Sequence, residues 1–564
     1  METSPQPGGR LAQWLPITGW LPRYHRTWLR PDLIAGVALA GLLVPEGMGY
    51  AGLAGVPPQA GLYAALAGLF IYALFGSSRQ VAVSSTSSTA VMAAAVAGPL
   101  SGGDPGRYLA LVAALVLTVG LIFIAAWVAR LGFVSDFIAR PVVTGFVFGL
   151  ALIIGVRQAP KLLGIPGVEG NFFQMAWDVL SELGRVNLPT LTIGAAALVT
   201  LFLMSRFVPR VPGALLVLVA GIAVVALLQL KDAGVAVVGL VPSGLPRPSL
   251  PHIYWGDMVT IVPSAAGIAL VAFAEGLGSA RTFATRYRYD IFPGQELKAT
   301  GLANVGSGLL GGIVVTGGLS GTSANDTDGA KSEVSTLAAS AFILLTLLLL
   351  TPLFRDLPEA VLGAIVIHAV RHMVNVREIR RFARVRLDSL GMSVPALLGV
   401  LIFGVLPGLM LAVGLSFAIL ARELSQPRVA RLGKMKKTGA WVSADRHPEA
   451  VRFPGIEIYR IQGVLFFASA NVVRNTVRKS VAAAGAHPPV VVIDLEMLFD
   501  IDATSAIMLD DLRRDLKKSG AEIVFTNVHH PVEKILKREG LYDRIGPQGF
   551  FPSVDEAVEQ LSRR

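Results

Sequence analysis

Over its first 420 residues the chain is a succession of apolar stretches, each close to the ~20 residues that carry a helix across a bilayer. They fall near 33–50, 58–75, 81–98, 108–130, 134–156, 188–207 and 213–231, and again near 259–280, 295–313, 319–333, 337–354, 357–373, 388–405 and 406–424. The last 144 residues differ in kind: residues 421–564 hold 22 Lys/Arg and 18 Asp/Glu, against 27 and 20 in all that precedes them. With 15% charged residues overall, where a soluble domain carries about 25%, the front is a membrane domain and the back a soluble one. The expected division is an N-terminal segment 1–30, a membrane domain 31–425 with repeats about 31–232 and 253–425, a linker 426–451 and a tail domain 452–564.

Charge then orients the chain. Arg281, Arg286 and Arg288 follow segment eight; Arg371, Arg377, Arg380, Arg381, Arg384 and Arg386 follow segment twelve; and a basic run from Arg422 to Lys437 follows the last. The opposite connections, such as 51–57 and Leu406–Gly408, carry almost no charge. By the positive-inside rule both ends are expected in the cytoplasm, in a bacterial inner membrane. Trp14, Trp20 and Trp28 with Arg23, Arg26 and Arg30 suit an interfacial lead-in. The net charge of +11 reads as loop charge in this setting, and no nucleic-acid partner is expected. No cysteine is present, so disulfides, thiolate nucleophiles and Cys-held metals are excluded. The polar start, with no apolar core before Leu33, leads us to expect no cleaved signal peptide.

Fourteen segments divide as seven plus seven, and an odd number per half inverts the second half. The third segment of each half is anomalous. Segment three opens on Ser84-Ser85-Thr86-Ser87-Ser88-Thr89, and segment ten runs GGLSGTSANDTDGAKS from Gly317. Six consecutive hydroxyl residues cover every face of a helix, more than helix-to-helix hydrogen bonding can use, so they belong where backbone lines a polar cavity. Interrupted segments at matching places in inverted halves point to a transporter with its site at the midplane. Two carboxylates join them. Glu275, in LVAFAEGLGSA, costs about 3 kcal/mol to bury charged at a helix centre, so it must face a cavity or hold a proton. Glu46 lies in LLVPEGMGYAG, where Pro45 and Gly47 are expected to loosen the helix.

Other motifs read as structure. Gly306-Ser307-Gly308-Leu309-Leu310-Gly311 fits GxGxxG but has no preceding strand, so helix packing explains it, as it does Gly145 and Gly149. Gly329-Ala330-Lys331-Ser332 lacks the upstream glycine of a P-loop, and His368 with His372 reads as interfacial; no metal site is expected. In the tail, 456–462 and 464–468 read as paired strands, 490–496 and 521–527 as buried strands, and 469–484 and 503–518 as helices, with two helical runs after them. That is a small α/β domain.

VPEGMGYAGLAGVPPQAGLYAAL (44–66) resembles the first signature of the sulfate permease (SulP) family of prestin- and pendrin-type anion transporters. Residues 294–332 resemble its second signature, and VVIDLEMLFDIDATSAIMLDDL (491–512) resembles the centre of the STAS domain that follows the membrane part in that family. The resemblance implies the fold class: a polytopic helical seven-plus-seven inverted repeat shared with uracil permeases, with a core of segments one to four and eight to eleven moving as an elevator against a gate, followed by a STAS domain. It also implies a homodimer and a cytoplasmic partner for the STAS domain. The substrate is expected between the N-termini of the half-helices, near Glu46, Tyr50, Ser84, Ser85, Thr86, Ser87, Ser88, Glu275, Gly321, Thr322, Ser323 and Ala324, held by backbone N–H groups around Ser85–Ser88 and Thr322–Ala324.

The chain departs from the family at Glu46, where members usually carry Gln, and at Gly321, where many carry Arg between Ser320 and Thr322. An arginine at 321 is therefore expected to restore a lost cation. In the STAS loop Ala503 replaces the phosphorylatable Ser of anti-anti-sigma relatives, leaving Asp502, Thr504 and Ser505 as candidate regulatory residues. The expected function is secondary active transport of a small oxyanion, sulfate first. A proton on Glu275, with Glu46 contributing, is the expected coupling ion and no other cofactor is expected; sodium held by Glu275 and Ser279 is the alternative. Sodium-coupled bicarbonate or dicarboxylate transport, nucleobase transport on the same fold, and a channel or STAS-linked sensor are the rival readings. None of these is an enzyme.

Overall fold

The computed structural model describes residues 14–132, 140–168, 170–208, 211–385, 387–483 and 490–563. The beginning of segment five (134–139), Arg386, residue 484 and the side chain of His372 lie outside the described residues. The chain forms two compact units, 1–416 and 417–564.

All fourteen expected segments correspond to helices. The first seven are α1 (Leu29–Leu53), α2 (Gln59–Phe75), α3 (Ser87–Ser101), α4 (Pro105–Val128), α5 (Arg140–Leu163), α6 (Leu188–Phe207) and α7 (Gly213–Leu228). The second seven are α8 (Met258–Tyr287), α9 (Pro293–Leu309), α10 (Leu319–Thr327), α11 (Val334–Leu345), α12 (Glu359–Val370), α13 (Leu387–Phe403) and α14 (Val405–Leu424). Six of the described helices are long and apolar enough to cross a membrane, and five more are apolar but shorter. Two further short helices, Phe172–Ser181 and Val376–Val385, are not among these apolar helices. The helix α1 runs continuously through Pro45, which leaves the helix one backbone N–H short.

At 1.5 Å per residue α3 is ~22 Å long and α10 only ~14 Å, short of the ~30 Å apolar layer. Extended chain completes each span, and its backbone must be satisfied away from water. The strand β1 (Val83–Ser85) before α3 and β2 (Val315–Gly317) before α10 therefore pair antiparallel with each other, Ser84 opposite Thr316. Around this pair α1–α4 pack with α8–α11, while α5–α7 pack with α12 and α13 as a second bundle. Glycines permit the closest approaches. A Cβ on Gly61 of α2 would lie 1.9 Å from the Gly47 carbonyl oxygen of α1, and one on Gly145 of α5 would lie 2.0 Å from that of Ser393 on α13. Gly149, against Leu397, Gly306, against Ile71, and Gly308, against Leu117, likewise pack helices, as their spacing implied.

The tail unit is a six-stranded sheet in the order β4 (Trp441–Ser443), β3 (Arg428–Lys434), β5 (Ile456–Gln462), β6 (Val490–Asp494), β7 (Glu522–Thr526), β8 (Phe550–Phe551), parallel from β5 onward. Alternation along β6 sends Val491 and Ile493 to one face, under α15 (Phe467–Ala483), α16 (Ala503–Lys518) and α17 (His530–Glu539), and Val492 to the other. A short α18 (Leu541–Ile545) precedes β8, and the final α19 (Val554–Leu561) covers that second face. Two expectations are corrected. Residues 464–468 are not a strand: Leu465 makes a single bridge to Ile501 and α15 begins at Phe467. The antiparallel partner of β5 is β3, from within the expected linker, whose Ala430 and Leu432 are buried in the core beside Ile456 and Ile458. Arginine and lysine density hid its alternating pattern.

Candidate functional site

Helices α3 and α10 begin beside one another because the strands that precede them pair. Each half braces the other. Thr322 of α10 accepts from the N–H of Ala82, ahead of β1, at 3.2 Å, while Thr89 of α3 donates to the carbonyl of Val314, ahead of β2, at 3.2 Å. The outer edge of β2 is closed by Asn304, whose amide bonds both the N–H and the C=O of Val315 at 3.0 and 2.8 Å. Thr316 donates to the Ala272 carbonyl of α8 at 2.5 Å, and α8 passes close because Gly276 faces this bond: a Cβ there would lie 2.9 Å from Thr316 Oγ1.

The glycine brings the preceding residue, Glu275, to the start of α3. Thr86 caps that helix, and Thr86 and Thr89 form a reciprocal capping box. Ser88 Oγ donates to Glu275 Oε1 at 2.6 Å and Thr86 Oγ1 to Oε2 at 3.3 Å. Six hydroxyls in a row thus divide their work. Thr86 and Ser88 face the carboxylate, Thr89 braces β2, Ser84 turns to the Ser85 carbonyl, and Ser87 meets Met373 Sδ at 3.5 Å. Ser85 Oγ is buried with no hydrogen-bond partner among the described residues, as is Ser279 Oγ, one turn beyond Glu275. On the α10 side, Ser320 donates to Glu46 Oε1 at 3.4 Å, and Tyr50 lies within electrostatic reach of both Glu46 and Glu275.

Three expectations about α10 change. The helix starts at Leu319, and the Thr322 N–H already bonds the Gly318 carbonyl at 3.1 Å, so the N–H groups without an intrahelical acceptor belong to Leu319, Ser320 and Gly321. The Thr322 hydroxyl is taken by the Gly318 carbonyl and the Ala82 N–H, while Ser323 and Ala324 lie half-buried in the next turn. Gly321 offers its backbone, and a Cβ there would meet Leu43, Ala82 and Leu39, an apolar seam. Ser320 and Asn304 were not among the expected site residues. The signal for Asn304 was present, an amide in the middle of an apolar segment; nothing marked Ser320 over its neighbours. The P-loop-like turn has its own explanation, since Lys331 and Ser332 donate backbone N–H groups to Asp32 Oδ1 at 2.6 and 3.2 Å. His368 sits against Phe202 and Arg371.

In the tail, Asp502 caps α16, accepting from the N–H and hydroxyl of Ser505 at 2.9 and 2.6 Å and from the N–H of Phe467 at 2.8 Å. Burial pushes its carboxyl up, but these hydrogen bonds outweigh burial and hold it below the usual carboxylate range. Ser505 is fully buried behind this bond, which leaves Thr504, exposed in the first turn, as the accessible hydroxyl.

Two helix N-termini facing a shared polar centre, lined by hydroxyls and two carboxylates, can receive a small anion or exchange a proton or cation at a carboxylate. Known proteins match the chain along most of its length. The sulfate permease family model matches residues 29–395 and the STAS domain model residues 447–557. A probable sulfate transporter of Mycobacterium tuberculosis is 36% identical over 98% of this chain and 99% of its own length. The structure of murine solute carrier 26 family member A9, an anion transporter in the inward-facing state, superposes with a TM-score of 0.92 at 23% identity, covering 100% of this chain and 96% of that one. The transmembrane domain of a cyanobacterial bicarbonate transporter matches with a TM-score of 0.62 at 25% identity, over 69% of this chain and 99% of that one. With a helical membrane domain followed by a STAS domain, the chain belongs to the sulfate permease family of membrane transporters.

Proposed function

We propose that this protein carries a small oxyanion, sulfate in the first place, as a secondary active transporter driven by protons, with α1–α4 and α8–α11 moving as an elevator against the second bundle. The observation that carries the reading is the meeting of the α3 and α10 N-termini across the β1–β2 pair, with Glu275 hydrogen-bonded to the Ser88 and Thr86 hydroxyls at that point. The anion would take the N–H groups of Ser87, Ser88, Leu319, Ser320 and Gly321, where helix dipoles stand in for the missing arginine. Glu275 shares its hydroxyl donors with that position. A proton on Glu275 removes the negative charge beside the anion, so proton and anion each favour binding of the other. The sulfate assignment leans on the name of the mycobacterial relative.

One observation favours a second reading, sodium-coupled bicarbonate transport: the buried Ser279 hydroxyl, without a hydrogen-bond partner among the described residues, lies one helical turn from Glu275, where the two oxygens would hold a cation. In both readings the termini face the cytoplasm of a bacterial cell, two copies associate, and the STAS domain meets a cytoplasmic partner. Purified protein in liposomes tests the proposal with radiolabelled sulfate, bicarbonate, dicarboxylates and uracil under imposed proton or sodium gradients. Saturable sulfate uptake that rises as external pH falls supports the first reading. Sodium-dependent bicarbonate uptake supports the second, and uracil uptake or sustained ohmic current overturns both.

A further inference from the structure

The short helix Val376–Val385, between α12 and α13, has the sequence VREIRRFARV. At 100° per residue Arg377, Arg380, Arg381 and Arg384 fall within an arc of about 100°, and Ile379, Phe382 and Ala383 occupy the opposite side. The four arginines are exposed, whereas the apolar three are half-buried and the helix packs on α13 and α5. Asn375 caps it, accepting from the Glu378 N–H at 3.1 Å and donating to the Glu378 carboxylate, which is thereby kept off the arginines. Among the described residues no carboxylate pairs with any of the four. Setting the orientation of the chain requires only that a loop be basic; it does not require the charge to be confined to one face of a capped helix.

We infer that this face is a docking surface for the anionic headgroups of the adjoining leaflet. Both ends of the helix lead within a few residues into membrane segments, α12 ending at Val370 and α13 starting at Leu387. The helix is therefore held at the bilayer boundary, and its charge complements phosphate diesters. Arginine suits them, because its planar fork binds two phosphate oxygens at once and stays charged. A lipid with net negative charge, such as phosphatidylglycerol, gains the full attraction of four cations, while a zwitterionic lipid offsets it with its own amine. The helix sits on α5 and α13 of the second bundle, so bound lipid would anchor that bundle at the membrane surface.

The test uses the full chain in neutral detergent, titrated with phosphatidylglycerol, phosphatidylcholine or inorganic phosphate, with the thermal midpoint read by intrinsic fluorescence. Phosphatidylglycerol should raise the midpoint where the other two do not. The combined R377Q/R380Q/R381Q/R384Q variant should keep its lipid-free midpoint and lose at least about tenfold in apparent phosphatidylglycerol affinity. The corresponding four Arg→Lys changes, which keep the charge, should retain most of it. An equal rise with phosphatidylcholine, an unchanged response in the glutamine variant, or a phosphate response lost in that variant overturns the inference. A lipid-free midpoint lowered in the glutamine variant would assign the arginines to an acidic protein surface instead, and overturns it too.

Discussion

Glu275 and Asp502 are both carboxylates that accept serine hydroxyls at 2.6 Å, yet they predict different experiments. Glu275 accepts from the Ser88 and Thr86 hydroxyls and not from a cation among the described residues, and these partners belong to the helix end proposed to receive the anion. Glu275→Gln keeps the shape and removes the titration. Sulfate binding should persist and lose most of its pH dependence, while uphill accumulation driven by a proton gradient should fall to background in proteoliposomes. Accumulation at the wild-type level would remove Glu275 from the coupling role. Asp502 is held below the usual carboxylate range in the folded state, so its stabilisation is complete above that range and is lost as pH falls through the folded-state value. Asp502→Ala should destabilise α16 by about 1 kcal/mol at neutral pH through loss of the cap. Asp502→Asn, which still caps, should instead flatten the acid limb. Amide exchange of residues 503–508 in the full chain reads both.

At the scale of elements, the site depends on two strands too short to be stable alone. They persist because Asn304 closes one edge, Thr316 ties β2 to α8, and Thr89 and Thr322 brace the halves reciprocally. Gly276 is the point where this brace is tightest. Gly276→Ala brings a methyl to 2.9 Å from Thr316 Oγ1 and 3.3 Å from the Gly317 nitrogen, so the hydroxyl must leave the Ala272 carbonyl or α8 must withdraw. Overpacking of this kind costs about 1–3 kcal/mol. Because the displaced helix carries Glu275, substrate affinity should fall more than thermal stability does. Binding by isothermal titration and melting of the same preparation separate the two, and a lower midpoint with unaltered affinity would show that the brace does not position the carboxylate.

For the whole molecule, the division at residue 416/417 leaves two units with separate cores. The tail should therefore be removable, but the place of the cut matters. Ending the chain at Gln426 removes the entire sheet. Ending it at Gly439 keeps β3 without β5 or β4, exposing Ala430 and Leu432 on a strand with unpaired edges, a template for aggregation. The chain ending at 426 should insert, remain monodisperse by size-exclusion chromatography and bind sulfate with affinity near that of the full chain. The chain ending at 439 should aggregate. Loss of binding in a well-inserted 1–426 protein would show that the STAS domain shapes the site.

The fourteen segments, their seven-plus-seven division and the α/β tail follow from sequence because apolar length and charge are local quantities, summed along the chain. The hydroxyl run at 84–89 and the lone Glu275 were legible for the same reason: polar groups inside apolar segments must be used. Sequence did not show how the use is shared. That Thr322 braces β1 and Ser320 faces Glu46, that Gly321 looks into an apolar seam, and that β3 belongs to the STAS sheet depend on which segment lies alongside which. Strand pairing between residues 83–85 and 315–317, more than two hundred positions apart, decides the first three. The register of β3 on β5 decides the last. Sequence specifies which groups cannot be left in lipid, and the tertiary structure decides which of them satisfy one another and which remain for an anion.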